Sequence, residues 1–176
     1  MIEWRIVDLH PDNQKAIEEI AGLLLEEFQE HWPDAWETIE AAHQEVRESL
    51  GEARISRIAI DRQGSVLGWI GGISQYDGNI WELHPLVVRS RYQNRGIGRA
   101  LVADLEQQVK AKGGLTLWVG TDDEDSMTTL VGVDLYPNVL ERISNIKNLR
   151  RHPYKFYQKL GFVIVGLMPD ANGLGK

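Results

Sequence analysis

The chain has 176 residues, 43% hydrophobic and 26% charged, the size and composition of one domain able to bury a core. Its 26 acidic against 19 basic residues give a formal charge of −7 with no offsetting basic stripe, so no nucleic-acid partner is expected; the acidic excess suits solubility first and a cationic partner only where it clusters near a site. Lack of Cys rules out disulfides, a thiolate nucleophile and a Cys-based zinc site, no metal is assigned, and without a long apolar run or a basic, apolar leader the reading is a cytoplasmic protein with no membrane partner.

Taken in order, Ile2 to Val7 predicts an opening strand. Ile17, Ile20, Ala21, Leu24 and Phe28 recur at helical spacing ahead of Pro33. A second helix is expected from about Pro33 to Leu50, with Pro33 in its first turn and Gly51 beyond its end. Strand signals follow over Arg54 to Ile60, Val66 to Ile73 and Ile80 to Val88, joined by turns at Gln63-Gly64 and Asp77-Gly78-Asn79. Ile97, Leu101, Leu105 and Val109 mark a long amphipathic helix closed by Gly113-Gly114. Leu115 to Val119 reads as a strand, Pro153 to Leu160 as a short helix stopped by Gly161, and Phe162 to Leu167 as a last strand. The order β-α-α-β-β-β-α-β-α-β predicts an α/β (α+β) fold: a mixed, mostly antiparallel sheet with helices on both faces, in one domain spanning residues 1–176.

The stretch from Leu86 to Ala100 carries the most chemical information. A strand ends, a glycine-containing turn follows, and a long helix begins. The first N–H groups of a helix lack partners within it and lie at the positive end of its dipole. Glycines let a phosphate approach that backbone, and Arg95 and Arg99 add charge. Neither the Walker pattern nor the dinucleotide-binding Gly-x-Gly-x-x-Gly pattern is present.

Gln93-Asn94-Arg95-Gly96-Ile97-Gly98 instead resembles Gln/Arg-x-x-Gly-x-Gly/Ala, the acetyl-CoA pyrophosphate loop of the GNAT superfamily of N-acetyltransferases. Phe156-Tyr157-Gln158-Lys159-Leu160-Gly161-Phe162 is similar to a second segment of that superfamily. Further blocks resemble one branch, the aminoglycoside 6'-N-acetyltransferases: Trp81 to Val88, Gly120-Thr121-Asp122-Asp123, Thr128-Thr129-Leu130, Asn148 to Tyr154 and Asp170 to Gly173. These blocks cover most of the chain from Trp81 onward, whereas the earlier half matches the family in layout only.

The resemblance implies acetyl-CoA as cofactor, a cationic small-molecule amine as acceptor, most specifically the 6'-amine of an aminoglycoside, and a homodimer. It places the cofactor on Leu86, Val87, Val88, Gln93, Asn94, Arg95, Gly96, Ile97, Gly98, Arg99, Asn148 and Tyr157. It gives the Leu86 N–H an oxyanion role and the Tyr157 hydroxyl the protonation of the leaving thiolate. It also implies one more antiparallel strand after Phe162 to Leu167. The sequence ends at Lys176, soon after the Asn172-Gly173 turn, leaving truncation or completion by a partner subunit as the two readings.

The residues constrain the mechanism independently. Acetyl transfer needs a deprotonated amine, a polarised carbonyl, a proton for the thiolate and aligned substrates. Glu82 and His84 stand two apart on one strand and share a face. Either side chain can take the amine proton, with Glu82 the first choice, and Glu82 can equally anchor the substrate ammonium. Pro85 cannot donate to a ladder, so an interruption is expected beside Leu86. By itself the acidic run Asp122, Asp123, Glu124 and Asp125, with Asp134 beyond it, reads as a solvated loop; the resemblance implies that it faces a polycationic acceptor. Glu26, Glu27, Glu30, Trp32 and Trp36 are candidates for the opposite wall. Competing readings are an acetyltransferase for polyamines, other small amines or protein amines, and a non-catalytic acetyl-CoA-binding module.

Overall fold

The computed structural model describes residues 3–29, 32, 35–123 and 125–171. The chain divides into two compact units, Met1–Val119 and Gly120–Lys176.

The first unit is built on a five-stranded sheet in the order β1-β2-β3-β4-β5, with β1 Trp4–Asp8, β2 Arg54–Asp61, β3 Val66–Gln75, β4 Ile80–Val88 and β5 Thr116–Trp118. The first four strands pair antiparallel and β5 joins β4 in parallel. Helices α1 Gln14–Phe28 and α2 Ile39–Glu48 cover one face. Their apolar stripes, including Ile17, Ile20, Leu24, Ala42 and Val46, form one core with Ile58, Trp69 and Val87. Helix α3 Ile97–Ala111 covers the other face, where Leu101 and Leu105 lie over Gly68 and Gly72.

Buried polar groups tie these layers together in pairs. The Trp69 indole donates to Ser56 Oγ at 2.9 Å, and Ser56 lies 2.9 Å from Ser49 Oγ, which donates to the Val46 carbonyl at 2.6 Å. Because the Ser49 proton is already committed to Val46, Ser56 must be the donor to Ser49. On the opposite face Arg57 grips Asp104 of α3 in a bidentate pair at 2.7 and 3.1 Å and reaches Asp8 of β1 at 2.5 Å. These contacts hold the Arg57 guanidinium above its ordinary range, the Asp104 hydrogen bonds contributing most.

Helix α2 begins later than expected. Thr38 Oγ1 accepts the Ala41 N–H at 3.2 Å, so the hydroxyl supplies the N-cap and sets the start at Ile39. Pro33, assigned to its first turn, lies outside the described residues.

The second unit contains α4 Val139–Ser144 and α5 Tyr154–Gln158. The periodicity did not announce α4, whose six residues bury none of their side chains. The strand expected over Phe162 to Leu167 is not formed, so the observed order closes on α5 rather than on a strand. A strand exists through its ladder, and among the described residues this segment pairs with none; Val163 and Val165 are 76% and 89% exposed. Asn172 and Gly173, the expected turn beyond it, lie outside the described residues.

Candidate active site

Strand β4 changes face halfway along its length. Its register with β3 shifts between Ile70 and Gly72, opposite His84-Pro85, where Pro85 has no N–H to contribute. Before the shift Glu82 pairs with Ile73, and after it Leu86 pairs with Ile70. Directly opposed residues share a face, so Glu82 and His84 stand on the α1/α2 side and Leu86 and Val88 on the α3 side. Gly71 sits at the shift because a Cβ there would collide with the His84 carbonyl oxygen.

The neighbouring strand ends at the same place. Pairing of β4 with β5 runs from Ile80–Thr116 to Glu82–Trp118. From His84 to Val88 that edge of β4 has no strand partner among the described residues. It is a stretch of extended backbone open to an elongated ligand.

Glu82 accepts a hydrogen bond from Gln75 Nε2 at 2.8 Å. His84 Nε2 lies 3.9 Å from Glu45 Oε1 of α2, and its ring lies 6.2 Å from that of Trp36. Trp36 in turn meets Phe28 edge-on at 4.8 Å, and Phe28 lies 5.9 Å from Trp32. Glu45 and Gln75 escaped the sequence reading. Gln75 stands opposite Ile80 in the β3–β4 ladder, a pairing visible only once the hairpin register is known.

Beyond β4 the chain makes a turn and enters α3. Asn94 and Gly96 both adopt left-handed backbone, with φ of 58° and 87°. Asn tolerates that region and Gly has no barrier to it. Gly96 is the N-cap and offers no side chain, so the N–H groups of Ile97, Gly98 and Arg99 form the uncapped first turn. Ala100 N–H is the first to reach back, to the Gly96 carbonyl at 3.0 Å. Exposed Arg95 and Arg99 flank this end, and the Arg95 guanidinium also sits 5.8 Å from the Tyr92 ring centroid. The donor set and the bare Gly96 fit a pyrophosphate.

The turn is fastened from α1. Glu27 accepts from the Ser90 N–H at 2.7 Å and from the Ser90 hydroxyl, and lies 3.4 Å from Gln93 Nε2. Gln93 Nε2 also donates to the Val88 carbonyl at 2.9 Å, and Glu26 pairs with Arg89 at 3.1 Å. Glu26 and Glu27, considered above for the amine wall, therefore brace the β4–α3 turn. Glu30 lies outside the described residues.

In the second unit the acidic residues are partly engaged by backbone. Asp123 accepts from the N–H groups of Met127 and Thr128 at 2.6 and 2.8 Å, and Asp134 from that of Tyr136 at 3.0 Å. Asp122 and Asp125 are exposed, while Glu124 lies outside the described residues. Buried His152 accepts from the Tyr154 N–H through Nδ1 at 3.2 Å, so Nε2 carries the proton and donates to the Asp122 carbonyl at 2.9 Å. Burial pushes this imidazole below the usual histidine range, outweighing the Asp122 carbonyl and the Asp123 and Asp122 charges, which act the other way.

Asn148 brackets the same loop, donating to the His152 carbonyl at 2.8 Å and accepting its N–H at 3.0 Å. Tyr157 is buried against Phe156 and Phe162, with ring centroids at 5.1 and 5.5 Å, and burial raises its hydroxyl well above the ordinary tyrosine range. A phenol shifted in this direction keeps its proton at neutral pH.

A five-stranded mixed sheet, a strand whose register shifts at its centre and a helix start capped by glycine make a scaffold whose uncapped N–H groups suit a phosphate. The Acetyltransferase (GNAT) family model matches residues 17–129, and the chain belongs to that family. It is similar to an aminoglycoside 6'-N-acetyltransferase solved as a complex with coenzyme A, at 40% identity and a TM-score of 0.89 over 98% of this chain and 92% of that one. An aminoglycoside 6'-N-acetyltransferase from Enterococcus faecium is 41% identical, with a TM-score of 0.86 over 98% of this chain and 92% of its own. An aminoglycoside 6'-acetyltransferase type Ii is 35% identical, with a TM-score of 0.72 over 97% and 90%. No curated protein matches the chain.

Proposed function

We propose that this chain is an acetyl-CoA-dependent N-acetyltransferase acting on the 6'-amine of aminoglycosides, with residues 1–176 working as one catalytic domain. The observation that carries the proposal is the arrangement along β4: Glu82 and His84 stand where the β5 pairing ends, and the strand then leads into the uncapped start of α3. Identities of 40% and 41% to two aminoglycoside 6'-N-acetyltransferases, each over 98% of this chain, support the substrate assignment.

Acetyl-CoA supplies the acetyl group in activated form, as a thioester. Gln93, Asn94, Arg95, Gly96, Ile97, Gly98 and Arg99 would hold its pyrophosphate, while Leu86, Val87 and Val88 would receive the pantetheine arm along the open edge of β4. The Leu86 N–H is assigned to the carbonyl oxygen and the protonated Tyr157 hydroxyl to the departing sulfur, with Asn148 on the cofactor through its loop. Glu82 orients the acceptor ammonium and takes its proton, directly or through water. His84, beside Glu45, is the second candidate base. Asp122, Asp123, Asp125 and Asp134 with Trp32 are assigned to the polycationic acceptor.

A homodimer in the cytoplasm, conferring resistance by acetylating the drug, extends this proposal. Among the described residues no helix is long and apolar enough to cross a membrane. The test is thiol release from acetyl-CoA with kanamycin-type drugs, spermidine and basic peptides. The proposal expects release with the drugs. Much more efficient release with spermidine or peptide would reassign the acceptor, and cofactor binding with no release would indicate a non-catalytic module.

A further inference from the structure

Glu82 is gripped from a neighbouring strand, and elementary hydrogen-bond chemistry fixes the orientation of the grip. Gln75 Nε2 lies 2.8 Å from Glu82 Oε2, and Gln75 Oε1 lies 3.1 Å from Trp118 Nε1. An indole N–H can only donate, so Gln75 must present its oxygen to Trp118. Its NH2 group is then turned toward the carboxylate. The flipped amide would set oxygen against oxygen and N–H against N–H. The three residues come from β3, β5 and β4, and Glu82 and Trp118 are themselves the last residues paired in the parallel ladder.

We infer that Gln75, oriented by Trp118, is a positioning residue for Glu82. The amide fixes one carboxylate oxygen, holding the other toward the acceptor amine. The inference rests on the reading of Glu82 given above. Trp118 acts one step further back, by denying Gln75 the flipped state.

A double-mutant cycle on the full chain, with a kanamycin-type acceptor, tests it. Gln75→Leu should lower kcat/KM for the amine about tenfold, the size expected for one hydrogen bond to a charged group. Trp118→Phe should lower it about threefold on the same basis. The acetyl-CoA KM should stay unchanged in both. In a Glu82→Gln background either substitution should cost less than about twofold, because the group it positions is gone. A full tenfold loss persisting in that background, or no loss in either single variant while Glu82→Gln is impaired, would overturn the positioning role. Undiminished activity of Glu82→Gln by itself would instead withdraw the reading of Glu82, and the inference with it. Should Gln75→Leu fail to fold, Trp118→Phe completes the same cycle.

Discussion

Gly71 and His84 stand back to back across the β3–β4 ladder, so close that no side chain fits on Gly71. The contact falls where β4 turns Glu82 and His84 to one face and Leu86 to the other. Gly71→Ala should push the strands apart at that point. Overpacking of this kind is worth about 2 kcal/mol, or roughly 4–8 °C in a chain of this size. Kcat should fall as well, because Leu86 moves relative to Glu82. A thermal melt and a turnover assay check both effects; a variant as stable and active as the parent would show that the strands accommodate a Cβ freely.

Glu27 braces the turn that leads into α3, through both the N–H and the hydroxyl of Ser90. Glu27→Ala should loosen the phosphate cradle and raise the KM for acetyl-CoA about fivefold, the order expected for exposed hydrogen bonds to a carboxylate. The amine KM should hardly change. Initial rates with each substrate varied in turn distinguish this from a role in the amine wall, which would move the amine KM alone.

His152 gives the second unit a pH dependence. Its imidazole is held below the usual range by burial, so near pH 6.5 and below the unfolded chain binds a proton that the folded chain resists. The stability this group contributes is therefore present above pH 6.5 and is lost as pH falls toward its depressed folded value. Melting curves between pH 7.5 and 5 should show a decline that is shallower in His152→Gln. Equal slopes for the two proteins would remove His152 as its source.

The sheet and the α3 junction were legible because their signals are local. Ile97, Leu101, Leu105 and Val109 announce a helix by spacing, and Gly96 announces its bare N-cap by being Gly. Pro85 likewise marks the interruption in β4 through its missing N–H. What escaped depends on pairing across distance. The Gln75 grip on Glu82 needs the β3–β4 register, and the use of Glu27 as a brace needs α1 brought against the β4–α3 turn. The expected strand over Phe162 to Leu167 failed for the opposite reason. Its apolar residues satisfy a local pattern, but a strand needs a neighbour, and no local pattern supplies one.

The central claim is that this chain acetylates the 6'-amine of an aminoglycoside. It is tested most directly by thiol release with two aminoglycosides that differ only in carrying an amine or a hydroxyl at the 6' position. The account predicts robust release with the 6'-amino compound and none above background with the 6'-hydroxy one. Equal release from both would place the acetyl group on another amine and contradict it.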